Sequence, residues 1–274
     1  MPMTKPTFIY GTAWKEEKSA DLTYQALSAG FRAIDTANQR KHYFEEGVGL
    51  GIAKFLKEKG MPREELFLQT KFTYANGQDH RKPFDENDPF AKQVADSFAS
   101  SLKHLQVNYV DSYVLHGPYR RTGFLKEDIE TWKAMEKIFH EKKARALGVS
   151  NIDLAQLEAL WTAATVKPAF VQNRCYANQL WDKDVRDFCK TNGVAYEGFS
   201  LLTANRVEIA DAEILKIAKK HKKDTAQIIF RFSQQIGMIP MTGTTDPKHM
   251  ALDLEIGDFE LSDGEMETVE FIAG

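Results

Sequence analysis

Four side chains in this 274-residue sequence could do chemistry together: Asp35, Tyr43, Lys71 and His116. Three of them end apolar runs. Phe31-Arg-Ala-Ile-Asp35 stops on a carboxylate, Leu66-Phe-Leu-Gln-Thr-Lys71 on an ammonium, and Tyr109-Val-Asp-Ser-Tyr-Val-Leu-His116 on an imidazole that Gly117-Pro118 cuts off. If these runs are neighbouring parallel strands, their last residues converge on one rim, with Tyr43 on the loop above. Each residue has a bland alternative: a turn-capping Asp, a Lys that snorkels to water, a structural His, a packing Tyr. Three polar ends in succession are harder to explain that way, because charges at the ends of buried strands are costly unless paired.

The chemistry open to such a set is general acid catalysis at a carbonyl. A phenol has an ordinary pKa near 10, and a neighbouring ammonium lowers it by roughly one to three pH units. Lys71 is expected to do this for Tyr43, and Asp35 to hold Lys71 charged and in place. His116 can donate a hydrogen bond to a substrate oxygen and fix the carbonyl against the acid. A second reactant is required. The seven histidines form no H-x-x-x-H or H-E-x-x-H pattern, so no metal set is expected, and no G-x-S-x-G nucleophile turn occurs. Hydride from a nicotinamide fits, since cofactors carry chemistry that side chains cannot.

Short β-like runs alternate with helical patterns along the whole chain. Strands are expected over Phe8–Gly11, Phe31–Asp35, Leu66–Lys71, Val110–His116, Ala146–Ser150, Ala169–Asn173, Val194–Phe199 and Met238–Thr242. Several are nearly continuous in apolar residues, as parallel strands covered on both faces should be. Val94, Phe98, Leu102 and Leu105, then Ile129, Trp132, Met135 and Phe139, mark amphipathic helices. Gly30, Gly60 and Gly193 read as helix stops, and Ser150-Asn151 and Asp224-Thr225 as helix starts. Eight strand–helix units at an average of roughly 34 residues match a (β/α)8 TIM barrel, residues 1–274 forming one such domain. A doubly wound open sheet fits less well, because Gly11-Thr-Ala-Trp14 after the first strand is not G-x-G-x-x-G. The long irregular stretch from Thr73 to Pro89 should overhang the active rim.

Composition is that of a globular protein, 43% hydrophobic and 27% charged, with a formal charge of −3. Nothing electrostatic argues for nucleic acid or an acidic membrane surface. No run approaches the ~20 apolar residues that span a bilayer, and the N-terminus carries no leader-like run. Cys175 and Cys189 make no C-x-x-C pair, which fits reduced thiols in a cytoplasmic protein. The basic run Lys219-Lys-His-Lys-Lys223 reads as a solvated helix end favoured by the helix dipole.

The sequence resembles the aldo-keto reductase superfamily over almost its whole length. Phe31-Arg-Ala-Ile-Asp-Thr-Ala37, Thr70-Lys71, Tyr113-Val-Leu-His-Gly-Pro118, Gly148-Val-Ser-Asn151 and Pro168-Ala-Phe-Val-Gln172 occur in the family's order. The resemblance implies an NAD(P)H-dependent reductase of aldehydes or ketones, with Tyr43 as proton donor supported by Asp35, Lys71 and His116. It assigns Ser150, Asn151 and Gln172 to the nicotinamide carboxamide and Phe199 to stacking on the ring. Thr12, Asp35, Ser200, Leu202, Thr242, Gly243, Thr244, Lys248 and Asp253 would complete the dinucleotide site. That agrees with the rule that barrel phosphate sites favour the last two strand loops. Trp14, Tyr74 and Tyr119, with His116, are the candidate substrate residues.

Three departures matter. Asp35 and Tyr43 stand farther apart than the family's pair, so residues 38–46 carry an insertion. The usual Ile-Pro-Lys reads Ile239-Pro240-Met241, which removes a lysine expected at the 2′-phosphate of NADP and leaves NAD possible. Lys248 or His249 would then have to supply the charge. The chain also lacks the long C-terminal lid of some relatives, so the pocket should be open to a small carbonyl substrate. Two other functions share these features in part. One is a nicotinamide-binding regulatory subunit with little turnover, and the other is a barrel isomerase acting on phosphosugars without a cofactor.

Overall fold

The computed structural model describes residues 5–274; residues 1–4, part of the stretch read above as free of a leader, lie outside the described residues. Eight parallel strands close in chain order into a barrel. They are β1 Ile9–Gly11, β2 Ala33–Asp35, β3 Phe67–Phe72, β4 Val110–Leu115, β5 Ala144–Ser150, β6 Phe170–Arg174, β7 Ala195–Phe199 and β8 Met238–Thr242, and β8 pairs back onto β1. Each expected run holds one of these strands, the ends differing by a residue or two.

The strands are apolar on both faces because both are covered. Inward-facing Ile9, Ala33, Phe67, Ala146, Phe170, Ala195 and Ile239 form a closed apolar floor inside the barrel. Outward-facing residues such as Tyr10, Ile34, Leu68, Val149 and Val171 merge with the helices in a larger core. Side chains alternate with period two along a strand. Two residues beyond the floor, the inward positions become Asp35, Gln69, Gln172 and Glu197, all buried. The barrel is thus plugged at its base and polar at its mouth.

The helix Phe90–Leu105 buries Val94, Phe98 and Leu105, as its spacing predicts. Asp224 opens the helix Thr225–Gln235 through a reciprocal cap with Gln227. The other expected start is displaced. Ser150 is still the last residue of β5, and Asp153, capped with Gln156, opens the helix Leu154–Ala163. Asn151 stands two residues before that cap, with φ +51° and its Nδ2 donating to the His116 carbonyl at 2.7 Å. The basic run ends the helix Ala212–His221, where Lys220 meets Glu265 at 2.8 Å.

Two glycines seat the helix that follows Tyr43. A Cβ on Gly49 would stand 2.1 Å from the His104 carbonyl oxygen, and one on Gly51 would stand 2.4 Å from that of Ala20. The helix Glu45–Lys59 therefore lies backbone-close to both its neighbours, Ser19–Ala29 and Phe90–Leu105. Among the described residues no helix is long and apolar enough to cross a membrane.

Candidate active site

The centre of the barrel mouth is an ion pair. Lys71, fully buried near the end of β3, places Nζ 2.6 Å from both carboxylate oxygens of Asp35 and 2.9 Å from the Thr36 carbonyl. Burial alone would disfavour the ammonium, but the Asp35 carboxylate beside it outweighs that cost and the Lys71 pKa is raised. Lys71 is held charged in a place where a lone lysine would tend to lose its proton.

Tyr43 arrives over this pair on the loop that follows β2. The Gln39 carbonyl accepts from the backbone N–H groups of His42 and Tyr43, both at 2.9 Å, and so folds this loop into a tight turn. The Gln39 side-chain amide anchors the loop to the Gly77 carbonyl at 2.6 Å. Two residues after Tyr43, buried Glu45 accepts from Thr70 and faces His104 Nδ1 at 3.2 Å, which pins the helix start to β3 and to the next helix. The Lys71 ammonium lies 5.2 Å from the centroid of the Tyr43 ring. The net direction of the Tyr43 pKa corrects the sequence expectation. Burial raises it and outweighs the opposing pull of the Lys71 charge. The phenol is kept as an acid rather than primed as a phenolate.

His116 stands edge-on to Tyr43, with ring centroids 5.9 Å apart. Its Nδ1 lies 2.7 Å from the Thr73 hydroxyl. Burial first, then the Lys71 charge, holds its pKa well below the ordinary histidine value, so the ring is neutral. With Nδ1 engaged by Thr73, Nε2 is the nitrogen left to meet a ligand.

All four residues line, or in the case of Lys71 underlie, a cavity of about 670 Å³ at the barrel mouth. That lies within the usual range of roughly 300–1,000 Å³ for small-molecule sites. Ser150, Asn151 and Gln172 form its polar wall, and Asn151 Nδ2 also reaches Ser150 Oγ at 3.0 Å. Phe199 lies beside them with the Arg174 guanidinium 5.4 Å from its centroid. Ser200, Leu202, Thr242, Gly243, Thr244 and Asp253 line the far side. Asp253 is buried and its pKa is pushed up to about 6, although the Thr242 hydroxyl donates to it at 2.8 Å. Trp14 is 69% exposed, stacks on His42 at 4.1 Å between centroids, and forms the outer lip.

Four expected site residues lie elsewhere. Thr12 is fully buried beneath the rim, where its hydroxyl donates to the Asp35 carbonyl at 2.9 Å, so it positions Asp35 rather than facing the cavity. Tyr74 turns outward, donating to Asp128 at 3.0 Å, and Tyr119 packs edge-on against it at 5.1 Å. The Thr73–Pro89 stretch tucks Phe84 into the same aromatic cluster. Lys248 is exposed and does not line the cavity, its backbone N–H donating to Asp246. His249 does reach the wall.

One residue that sequence reasoning missed is Lys15. It is 8% exposed, lines the cavity and donates to the Gly243 carbonyl beside Met241. Among the described residues no carboxylate pairs with it, and burial lowers its pKa. A buried cation whose company is one carbonyl and the Tyr10 ring, 5.9 Å from its centroid, can take an anion. The donor set therefore fits a phosphorylated dinucleotide: a cation and the Thr242-Gly243-Thr244 turn at one end, amides and a flat aromatic ring at the other. Among the described residues no cluster of His, Cys, Asp and Glu could hold a metal ion.

Comparison with known proteins agrees with this geometry. The profile of the Aldo/keto reductase family matches residues 7–273. The chain is 35% identical over 246 residues to the glyoxal reductase of Bacillus subtilis, covering 89% of this chain and 80% of that protein. It is 32% identical over 260 residues to the 9,11-endoperoxide prostaglandin H2 reductase of Trypanosoma cruzi, covering 92% and 82%. The crystal structure of an aldo/keto reductase from Brucella melitensis superposes with a TM-score of 0.83 at 29% identity, covering 97% of this chain and 95% of that one. A Bombyx mori aldo-keto reductase solved in complex with NADP also gives 0.83, at 25% identity and covering 98% and 89%. With its closed barrel, its buried Asp35–Lys71 pair and this match from end to end, the chain belongs to the aldo/keto reductase family and is an NAD(P)H-dependent oxidoreductase acting on aldehydes or ketones.

Proposed function

We propose that the protein reduces small aldehydes and ketones with NADPH, Tyr43 giving the proton to the carbonyl oxygen. The observation that carries this reading is Tyr43 held over the Asp35–Lys71 pair, with neutral His116 at its side. A bound nicotinamide supplies the hydride. The chain's own residues do the rest. His116 Nε2 donates to the substrate oxygen and aligns it with the phenol. Tyr43 releases its proton as charge develops on that oxygen, and the Lys71 ammonium stabilises the phenolate left behind. Ser150, Asn151 and Gln172 offer the donors and acceptors that hold a carboxamide. The relatives named above are reductases, which favours turnover over a regulatory subunit with little activity, and the amide wall beside the flat Phe199 ring has no part in a cofactor-free isomerase. We place the protein in the cytoplasm, a reading supported by two buried, unpaired cysteines. The test is a screen of aldehydes and ketones, aldehydes next to a second carbonyl included, with NADPH and NADH followed by absorbance. Oxidation of either cofactor that depends on the carbonyl is expected.

The raised Tyr43 pKa sets the pH behaviour. An acid catalyst must be protonated, so kcat for reduction at saturating cofactor should stay level through neutrality and fall only above the ordinary tyrosine value near 10. Oxidation of the alcohol, which needs the phenolate, should instead rise with pH. A reduction rate that falls between pH 7 and 8 would show that burial does not protect the proton.

Met241 and Lys15 make a prediction about the cofactor's phosphates. Lys15→Ala should weaken NADPH by tenfold or more, since losing a charge-assisted hydrogen bond costs roughly 1.5–3 kcal/mol and each 1.4 is about tenfold. Lys248→Ala should leave it within twofold. Met241→Lys should tighten NADPH and leave NADH unchanged. Dissociation constants from protein fluorescence check all three, and a large loss in Lys248→Ala alone would return the role to that residue.

A further inference from the structure

Glu197 lies in the middle of β7, fully buried, two residues beyond the barrel floor. Its Oε2 accepts from Gln69 Nε2 and from Gln172 Nε2, both at 2.8 Å. The same two nitrogens donate to Asp35 Oδ1, at 2.9 and 3.2 Å. A primary amide has two hydrogens, so each glutamine has spent both of them on the two carboxylates. Gln172 lines the cavity, and the polar atom it still offers a ligand is its carbonyl Oε1. Turning this amide over would set Oε1 against two carboxylates, and the arrangement is locked as long as both accept.

A buried carboxylate with no cation of its own is a burden to the fold. The charged groups facing Glu197 are Asp35, which opposes its ionisation, and Lys71, which favours it. Its strand partners Gln172 on β6 and Ile239 on β8 bring no titratable group. The Glu197 charge also favours the Lys71 ammonium, as the smallest of the influences on it, whereas its direct hydrogen bonds are with the two glutamine amides.

We propose that Glu197 is a positioning residue, whose carboxylate fixes the Gln172 amide with Oε1 toward the cavity as the acceptor for a nicotinamide carboxamide. The proposal rests on reading the cavity as a nicotinamide site. Burial pushes the Glu197 carboxyl up to about 7, against the hydrogen bonds of Gln69 and Gln172. The ionised form is the stronger acceptor, so the hold on Gln172 is tightest above neutrality and loosens as pH falls through that value.

The experiment compares two ligands, NADPH and 2′-phospho-ADP-ribose, which is the same molecule without its nicotinamide. Dissociation constants are read from protein fluorescence between pH 6 and 8.5. Their ratio cancels the titration of the shared phosphate. Glu197→Ala should weaken NADPH by about tenfold, the worth of one fixed hydrogen bond, and leave the fragment within twofold. In the wild type the advantage of NADPH over the fragment should shrink as pH falls through 7, and in Glu197→Gln that dependence should vanish. Should Glu197→Ala fail to fold, the pH behaviour of Glu197→Gln decides the matter alone. Equal weakening of both ligands, an unchanged NADPH constant, or a ratio in Glu197→Gln that still follows pH overturns the proposal. A wild type that binds neither ligand overturns the nicotinamide reading itself, and the proposal with it.

Discussion

Tyr43→Phe should lower kcat for carbonyl reduction by about 10²–10⁴-fold, the usual contribution of a positioned general acid. The dissociation constant of NADPH should stay within a few-fold. The ring remains to pack against His116 and over the Lys71 ammonium, so the fold and the cavity wall are kept. Only the proton demanded in the transition state is missing, which places the loss in kcat and not in ground-state binding. Single-turnover rates with pre-bound cofactor measure this without interference from product release. Near-normal turnover would mean that the turn built on Gln39 delivers a residue without a chemical role.

Lys71→Met should be the most damaging change to stability. Removing the ammonium leaves the Asp35 carboxylate, 2% exposed, with amide donors but no cation. Breaking a buried pair from one side costs about 3–5 kcal/mol, a large share of the roughly 5–15 kcal/mol that holds a domain together. Urea denaturation should show a lower midpoint at an unchanged slope. The pH dependence has a definite sign. The Lys71 pKa is raised in the folded state because the Asp35 carboxylate outweighs the cost of burial. Its stabilisation is therefore fully present below the unfolded lysine value near 10.4 and is lost as pH climbs through the higher folded value. The wild type should lose that part of its stability in strong alkali, and the variant should have none of it to lose.

The barrel was legible because its strands are nearly continuous apolar runs, covered on both faces, that alternate with amphipathic helices along the whole chain. The quartet was legible for the complementary reason that Asp35, Lys71 and His116 interrupt such runs where they end. The Tyr43 pKa went the other way because sequence names the neighbouring charge but not the depth at which the phenol sits. Tyr74 and Tyr119 follow strands as pocket aromatics would, yet which way a side chain turns was settled by the Asp128 carboxylate, a partner on another element. Lys15 escaped notice because its partner, Gly243, is 228 residues away and meets it only when β8 closes onto β1. Glu197 could have been found. It shares the inward face of β7 with Ala195 and Phe199, and a charge in the middle of an apolar strand is as costly as one at its end.

The central claim is that hydride reaches the carbonyl carbon from a nicotinamide while the proton comes from Tyr43. The most direct test is reduction of an aldehyde by the wild type with NADPH fully deuterated at C4 of the nicotinamide, with the alcohol product analysed by mass spectrometry and proton NMR. The account predicts one deuterium on the carbinol carbon per NADPH oxidised, and none of it exchanged with water. Alcohol formed without deuterium at that carbon, or NADPH oxidised with no alcohol formed, would contradict it.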